Sequence, residues 1–137
     1  DGKIWANSSV GSNIDPYSSE EREFPNQKPE VTAPGVRMFS TASTEISPPY
    51  AYSTGTSDST VIVVGALALI LQIHGNQMRG DDNKFDSEEM NMVKEALANS
   101  SLMSQDVDTI HSNKSGYGEM NAAAWLEEIR TEFNLNS

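Results

Sequence analysis

A chain of 137 residues can build one domain with a real core, and 36% hydrophobic residues with two tryptophans speak against wholesale disorder. Its 20 Asp and Glu against nine Lys and Arg leave a net charge of −11. That balance argues against a nucleic-acid partner, which is held by basic residues releasing counterions from phosphate. With no cysteine, thiol catalysis, disulfide stapling and Cys-based zinc sites are excluded.

In chain order, Lys3 to Ala6 reads as a short strand entering a Ser/Gly/Asn turn. Residues 14–30 hold Pro16, Pro25, Pro29 and the Glu20-Glu21-Arg22-Glu23 cluster, which is loop chemistry because proline removes a donor and restricts its predecessor. Val36-Arg37-Met38-Phe39 alternates as a strand after the Pro34-Gly35 turn. Residues 40–54, rich in Ser, Thr and Pro, read as an extended surface loop. A helix is expected over about 57–74, ended by Gly75-Asn76. It is apolar all round, which predicts a buried core helix. Its longest apolar run, Val61 to Leu71, is too short for a bilayer, so no membrane span is expected.

Residues 76–85 form a polar loop. Asp86 followed by Glu89 has the pattern of an N-cap and capping box, opening a helix with Met90, Val93 and Leu97 on one stripe. Another loop runs to Tyr117. A last helix over about 120–133 places Ala122, Leu126, Ile129 and Phe133 on one face. Both element types around a buried helix give an α/β expectation.

One tripeptide has the layout of a chemical site. Gly55-Thr56-Ser57 sets a serine at the first turn of a helix, after a glycine that permits a tight and strained approach. The helix N-terminus offers unpaired N–H groups and the positive end of a dipole. Acyl transfer needs such donors, because its tetrahedral intermediate gathers negative charge on oxygen. Taken alone, the same tripeptide is also an ordinary helix start.

Four stretches sharpen the reading. KPEVTAPGVRMF (28–39) resembles the Lys-Pro-Asp-Val-x-Ala-Pro-Gly-Val segment of the subtilase family of serine proteases. GTSDSTVIVVGALAL (55–69) resembles the block around that family's nucleophile. GYGEMNAAA (116–124) is similar to the segment that opens its closing helix, and Ser8-Ser9-Val10-Gly11 to the turn before the Ala-Pro-Gly block. All four stand in the family's order.

The resemblance implies the C-terminal part of a subtilisin-like three-layer α/β/α sandwich with a mostly parallel sheet, residues 1–137 being one portion of a single catalytic domain. It implies Ser57 as nucleophile, with its own N–H as an oxyanion donor, and Thr54, Gly55 and Thr56 lining the approach. It also implies a serine endopeptidase acting on peptide or protein, in a secreted or extracellular setting. The family's acid, base and oxyanion Asn come before the matched stretch, so the N-terminal portion of the domain is the expected partner. No cofactor is required by this chemistry. Calcium, which many subtilases bind, has candidate oxygen ligands in Asp81, Asp82, Asn83 and Asp86, although a solvated loop and a helix cap explain the same residues. Arg79-Gly80-Asp81 spells an integrin-recognition tripeptide and carries no weight.

Two departures stand out. Asp58 occupies a position where small or apolar residues are common, and Val61-Ile62 replaces a frequent Pro-His pair. The incomplete triad and Asp58 motivate the competing reading of a catalytically inactive structural or binding module. Neither local histidine serves as base. His74 lies 17 residues down the same helix, about 25 Å from Ser57, beyond the reach of proton transfer. Nothing around His111 resembles the family's histidine motif, so both read as surface or helix-end residues.

Overall fold

The computed structural model describes residues 3–43, 45, 49–80, 83–102 and 110–135. Two strands and three helices follow in order: β1 (Met38–Thr41), β2 (Tyr50–Ser53), α1 (Thr56–His74), α2 (Ser87–Ser100) and α3 (Ala122–Glu132). Helix and strand thus occur together, as an α/β chain requires. Parallel pairing among the described residues is confined to a single bridge, Thr32 with Glu119.

The strands form an antiparallel hairpin in the register Met38↔Ser53, Phe39↔Tyr52, Ser40↔Ala51, Thr41↔Tyr50. This corrects the loop expected over 40–54. Phe39, Tyr50 and Tyr52 share one exposed face, with ring centroids 5.5 Å apart for Phe39–Tyr50 and 5.0 Å for Phe39–Tyr52. Such cross-strand aromatic pairs contribute roughly 0.2–1 kcal/mol each. The strand expected from Val36 starts two residues later. Arg37 is in the left-handed region at φ 54°, so the chain turns there before it extends. The strand expected at Lys3–Ala6 is absent: residues 3–5 have no regular structure and a turn begins at Ala6.

α2 begins as its sequence pattern requires. The Asp86 carboxylate accepts from the Glu88 N–H and the Glu89 carboxylate accepts from the Asp86 N–H, both at 2.9 Å. α3 is capped by Asn121, whose Oδ1 accepts from Ala124 N–H at 3.1 Å. The two helices pack on each other through Val93, Ala96 and Leu97 against Trp125 and Ile129, with Ile70 of α1 and Met78 joining the same core. The Trp125 indole N–H donates to the Val93 carbonyl at 3.1 Å. The face of α3 differs from expectation: Trp125 and Ile129 are buried while Ala122 is exposed.

α1 packs on this core with one stripe only, Val63, Ala66, Leu67, Ile70 and His74. Its other side is open: Val61, Val64, Leu69 and Ile73 are 58–68% exposed. The expected all-round burial is therefore not found, because the described residues supply packing partners on one side alone. The helix is long and apolar enough to cross a membrane by length and composition. His74 is buried rather than a surface residue. Arg130 Nε donates to its Nε2 at 3.3 Å, so its Nδ1–H donates to Gln77 Oε1 at 2.9 Å.

Tyr117, 3% exposed, donates its hydroxyl to Gln27 Oε1 at 2.9 Å. Burial pushes its phenol above the ordinary value; a hydrogen bond at Gln27 opposes this, and the charge of Glu30 adds to it. A folded value above the unfolded one means that folding favours the neutral phenol. Its contribution to stability is whole below about pH 10, the unfolded value, and is lost as pH rises through the folded value. In an alkaline titration followed by tyrosinate absorbance, one tyrosine should ionise late, and this late step should vanish in Tyr117→Phe.

Candidate active site

The four stretches singled out in the sequence are laced to one another. Gly11 lies so close to the Lys28–Pro29 peptide that a Cβ there would sit 2.1 Å from the Lys28 carbonyl oxygen. Tyr117 N–H donates to Glu30 O at 2.7 Å, Thr32 N–H to Gly118 O at 2.8 Å, and Met120 N–H to Thr32 O at 2.8 Å. Gly116 makes this approach possible, with φ +62° and the Glu30 carbonyl 2.2 Å from where its Cβ would be. The lacing continues into the start of α1. Gly55 N–H donates to Gly35 O at 2.8 Å, and Ser59 Oγ donates to Ala33 O at 2.9 Å. A Cβ on Gly35 would meet Ser59 Oγ at 2.2 Å and Gly55 O at 2.7 Å, so only glycine lets the Ala-Pro-Gly segment lie against the helix start. Thr54 Oγ1 accepts from Arg37 N–H at 2.9 Å. Thr54, Gly55 and Ser59, which bracket Thr56 and Ser57, are thus held from outside by segment 33–37.

Gly55 is the N-cap and gives α1 no side-chain cap. Its φ of 173° is extended backbone, so the strain expected at this glycine is not present. Within the first turn, Asp58 N–H reaches Gly55 O at 3.1 Å and Ser59 N–H the same oxygen at 3.4 Å. The N–H groups of Thr56 and Ser57 have no partner among the described residues, as the geometry of a helix start predicts. Ser57 is exposed, and its hydroxyl likewise has no partner among the described residues. An exposed serine hydroxyl and two N–H groups without partners among the described residues therefore share one turn at the positive end of a 19-residue helix.

Asp58 does not point freely into water. It is half-buried, and its carboxylate accepts a short hydrogen bond from the Ser53 hydroxyl at the end of β2. Neither this contact nor the roles of Ser59 and Gly35 could be foreseen from local sequence. All three depend on how β2 and segment 33–35 meet the helix.

The two histidines are held elsewhere. His74 closes the far end of α1, as described. His111 donates from Nε2 to Pro29 O at 2.9 Å and lies edge-on to Tyr117, centroids 4.8 Å apart, so it is half-buried rather than a plain surface residue. Of the suggested calcium ligands, Asp81 and Asp82 lie outside the described residues, as does the last residue of Arg79-Gly80-Asp81. Asp86 is engaged in capping α2. Among the described residues, no group of three His, Asp or Glu side chains is gathered for a metal.

The family model of the subtilases matches residues 6–118, a span that takes in β1, β2, α1 and α2. No curated protein matches the chain significantly, and no solved structure does.

Proposed function

The chain belongs to the subtilase family of serine peptidases, and on that footing we propose that it is the C-terminal portion of a catalytic domain in which Ser57 is the nucleophile. The observation that carries this reading is the exposed, unpartnered Ser57 hydroxyl in the first turn of α1, beside the unpaired N–H groups of Thr56 and Ser57. In the proposed reaction Ser57 Oγ attacks the carbonyl carbon of a peptide bond. A histidine from the preceding portion of the domain takes the hydroxyl proton, and an aspartate there orients that histidine. The carbonyl oxygen becomes an oxyanion facing the Ser57 N–H, where the helix dipole also favours negative charge. Collapse expels the amine with the proton returned by histidine, and water then hydrolyses the acyl-enzyme. Thr54, Gly55 and Thr56 line the approach of the substrate.

The same proposal accounts for α1. In a three-layer sandwich such a helix would be packed on more than one side, and the preceding portion would cover Val61, Val64, Leu69 and Ile73. A protein of this kind is expected to act outside the cell on peptide or protein substrates, without a cofactor in the chemical step. The inactive-module reading rests on Asp58 standing beside the serine and on the incomplete triad.

The test is active-site labelling. In the protein carrying its preceding portion, a fluorophosphonate should label wild type and leave Ser57→Ala unlabelled, with peptide hydrolysis lost in parallel. Equal labelling of the two would place the nucleophile elsewhere. An unlabelled wild type that folds normally would favour the inactive module.

A further inference from the structure

Asp58 is a charged residue next to the serine in the chain, and its side-chain partner among the described residues is the Ser53 hydroxyl. The two residues belong to different elements. Ser53 ends β2, and Asp58 is the third residue of α1. Between them runs the whole segment Thr54 to Ser57. The bond therefore closes a short loop of chain whose interior is the candidate site.

The first turn has few other means of holding its shape. Gly55 brings no side chain to cap it, and its two internal bonds share one carbonyl, one of them long at 3.4 Å. The ties to Gly35 and Ala33 fix Gly55 and Ser59 from one side. The strand side is held by the Asp58–Ser53 bond. A hydrogen bond to an ionised carboxylate is about twice as strong as a neutral one. The bond also ties the carboxylate to β2, giving the acid beside the serine a fixed partner.

We propose that Asp58 is a positioning residue. Its carboxylate, holding the Ser53 hydroxyl, fixes the Thr54–Ser57 turn so that the Ser57 hydroxyl and N–H face one reacting carbonyl. This inference rests on Ser57 being the nucleophile, and the experiment separates failure of the one from failure of the other.

The protein with its preceding portion is labelled with a fluorophosphonate over a range of probe concentrations. Maximal rate and half-saturating concentration are obtained for wild type, Asp58→Ala, Asp58→Asn, Ser53→Ala and the double alanine variant. A misplaced nucleophile loses rate rather than binding, so Asp58→Ala and Ser53→Ala should each lower the maximal rate about tenfold, within the range that small misplacements cost. The half-saturating concentration should stay near wild type. The double variant should be no slower than either single one, because each removes the same bond. Asp58→Asn keeps an acceptor for Ser53 and should restore the rate to within about threefold of wild type, because the neutral bond is weaker but still made. A wild-type rate in Asp58→Ala or Ser53→Ala overturns the proposal, as do additive losses in the double variant. Asn no better than Ala would assign the effect to charge near the helix end and overturn it too. A large gain in Asp58→Asn would make Asp58 a suppressor and equally overturn it. Failure of wild type to label at all would remove the Ser57 reading itself. Ser53→Ala, a change at an exposed strand end, keeps the test open should Asp58→Ala not fold.

Discussion

Trp125→Ala should destabilise the protein by about 3–5 kcal/mol, the range for truncating a buried Trp to Ala. Trp125 is 1% exposed and lies where α3 meets α2, among Val93, Ala96, Leu97 and Ile129. Alanine would leave a cavity that neighbours from two helices cannot fill without moving their backbones. It would also remove the indole donor from the Val93 carbonyl. Trp125→Phe should cost clearly less, since one aromatic ring still fills most of the space, although the rest of the indole and its N–H donor are lost. Urea unfolding with midpoint and slope measured for each variant checks this. A change under about 1 kcal/mol for Trp125→Ala would mean that the α2–α3 contact is not the centre of the core.

Trp125 also shows where sequence reading stops. A stripe through 122, 126, 129 and 133 and a stripe through 125 and 129 both include Ile129, and periodicity alone does not choose between them. The choice is made by where α2 lies, and α2 is a distant segment. α2 itself was legible because its start is local: Asp86 and Glu89 cap the same turn, and Val93 and Leu97 follow on one face. The hairpin was not legible. Tyr50 and Tyr52 gain their partners by pairing with Phe39 across a Ser/Thr/Pro-rich connection, and that pairing is not written in either strand alone. His74 does stand at a helix end, but its burial and its bond to Arg130, 56 residues away, were not legible.

At the candidate site the balance is similar. Ser57 at a helix start is visible from Gly-Thr-Ser before an apolar run, and the likeness to the subtilase blocks is matched by the family model. The ties that hold the turn were not visible. The Gly35–Gly55 contact, the Ser59–Ala33 bond and the Asp58–Ser53 bond join segments whose sequences carry no mutual signal.

Composition also misled on α1, because an all-apolar helix states a demand for burial without naming what meets it. Under the proposed function the preceding portion of the domain meets it, which sets up the second large effect. Residues 1–137 expressed alone should bind a hydrophobic dye strongly and self-associate, since Val61, Val64, Leu69 and Ile73 are open together. Adding the preceding portion should abolish dye binding and produce a one-to-one complex. Val64→Lys with Leu69→Lys should reverse both results. The isolated chain should then stay monomeric, because α1 keeps its inward stripe of Val63, Ala66, Leu67 and Ile70. The complex should be lost, since each substitution forfeits about 1.5–3 kcal/mol of apolar burial and forces an ammonium into a closed interface. A wild-type chain that is monomeric, unfolds cooperatively and binds no dye would show that this face needs no cover. A chain that instead inserts α1 into lipid vesicles, and stays there when the preceding portion is added, would give the face to a membrane. Formation of the complex by the double-lysine variant with unchanged affinity would move the interface to another surface. The expected pattern, dye binding lost on mixing and complex lost on Lys substitution, requires the apolar side of α1 to be a protein interface within one catalytic domain.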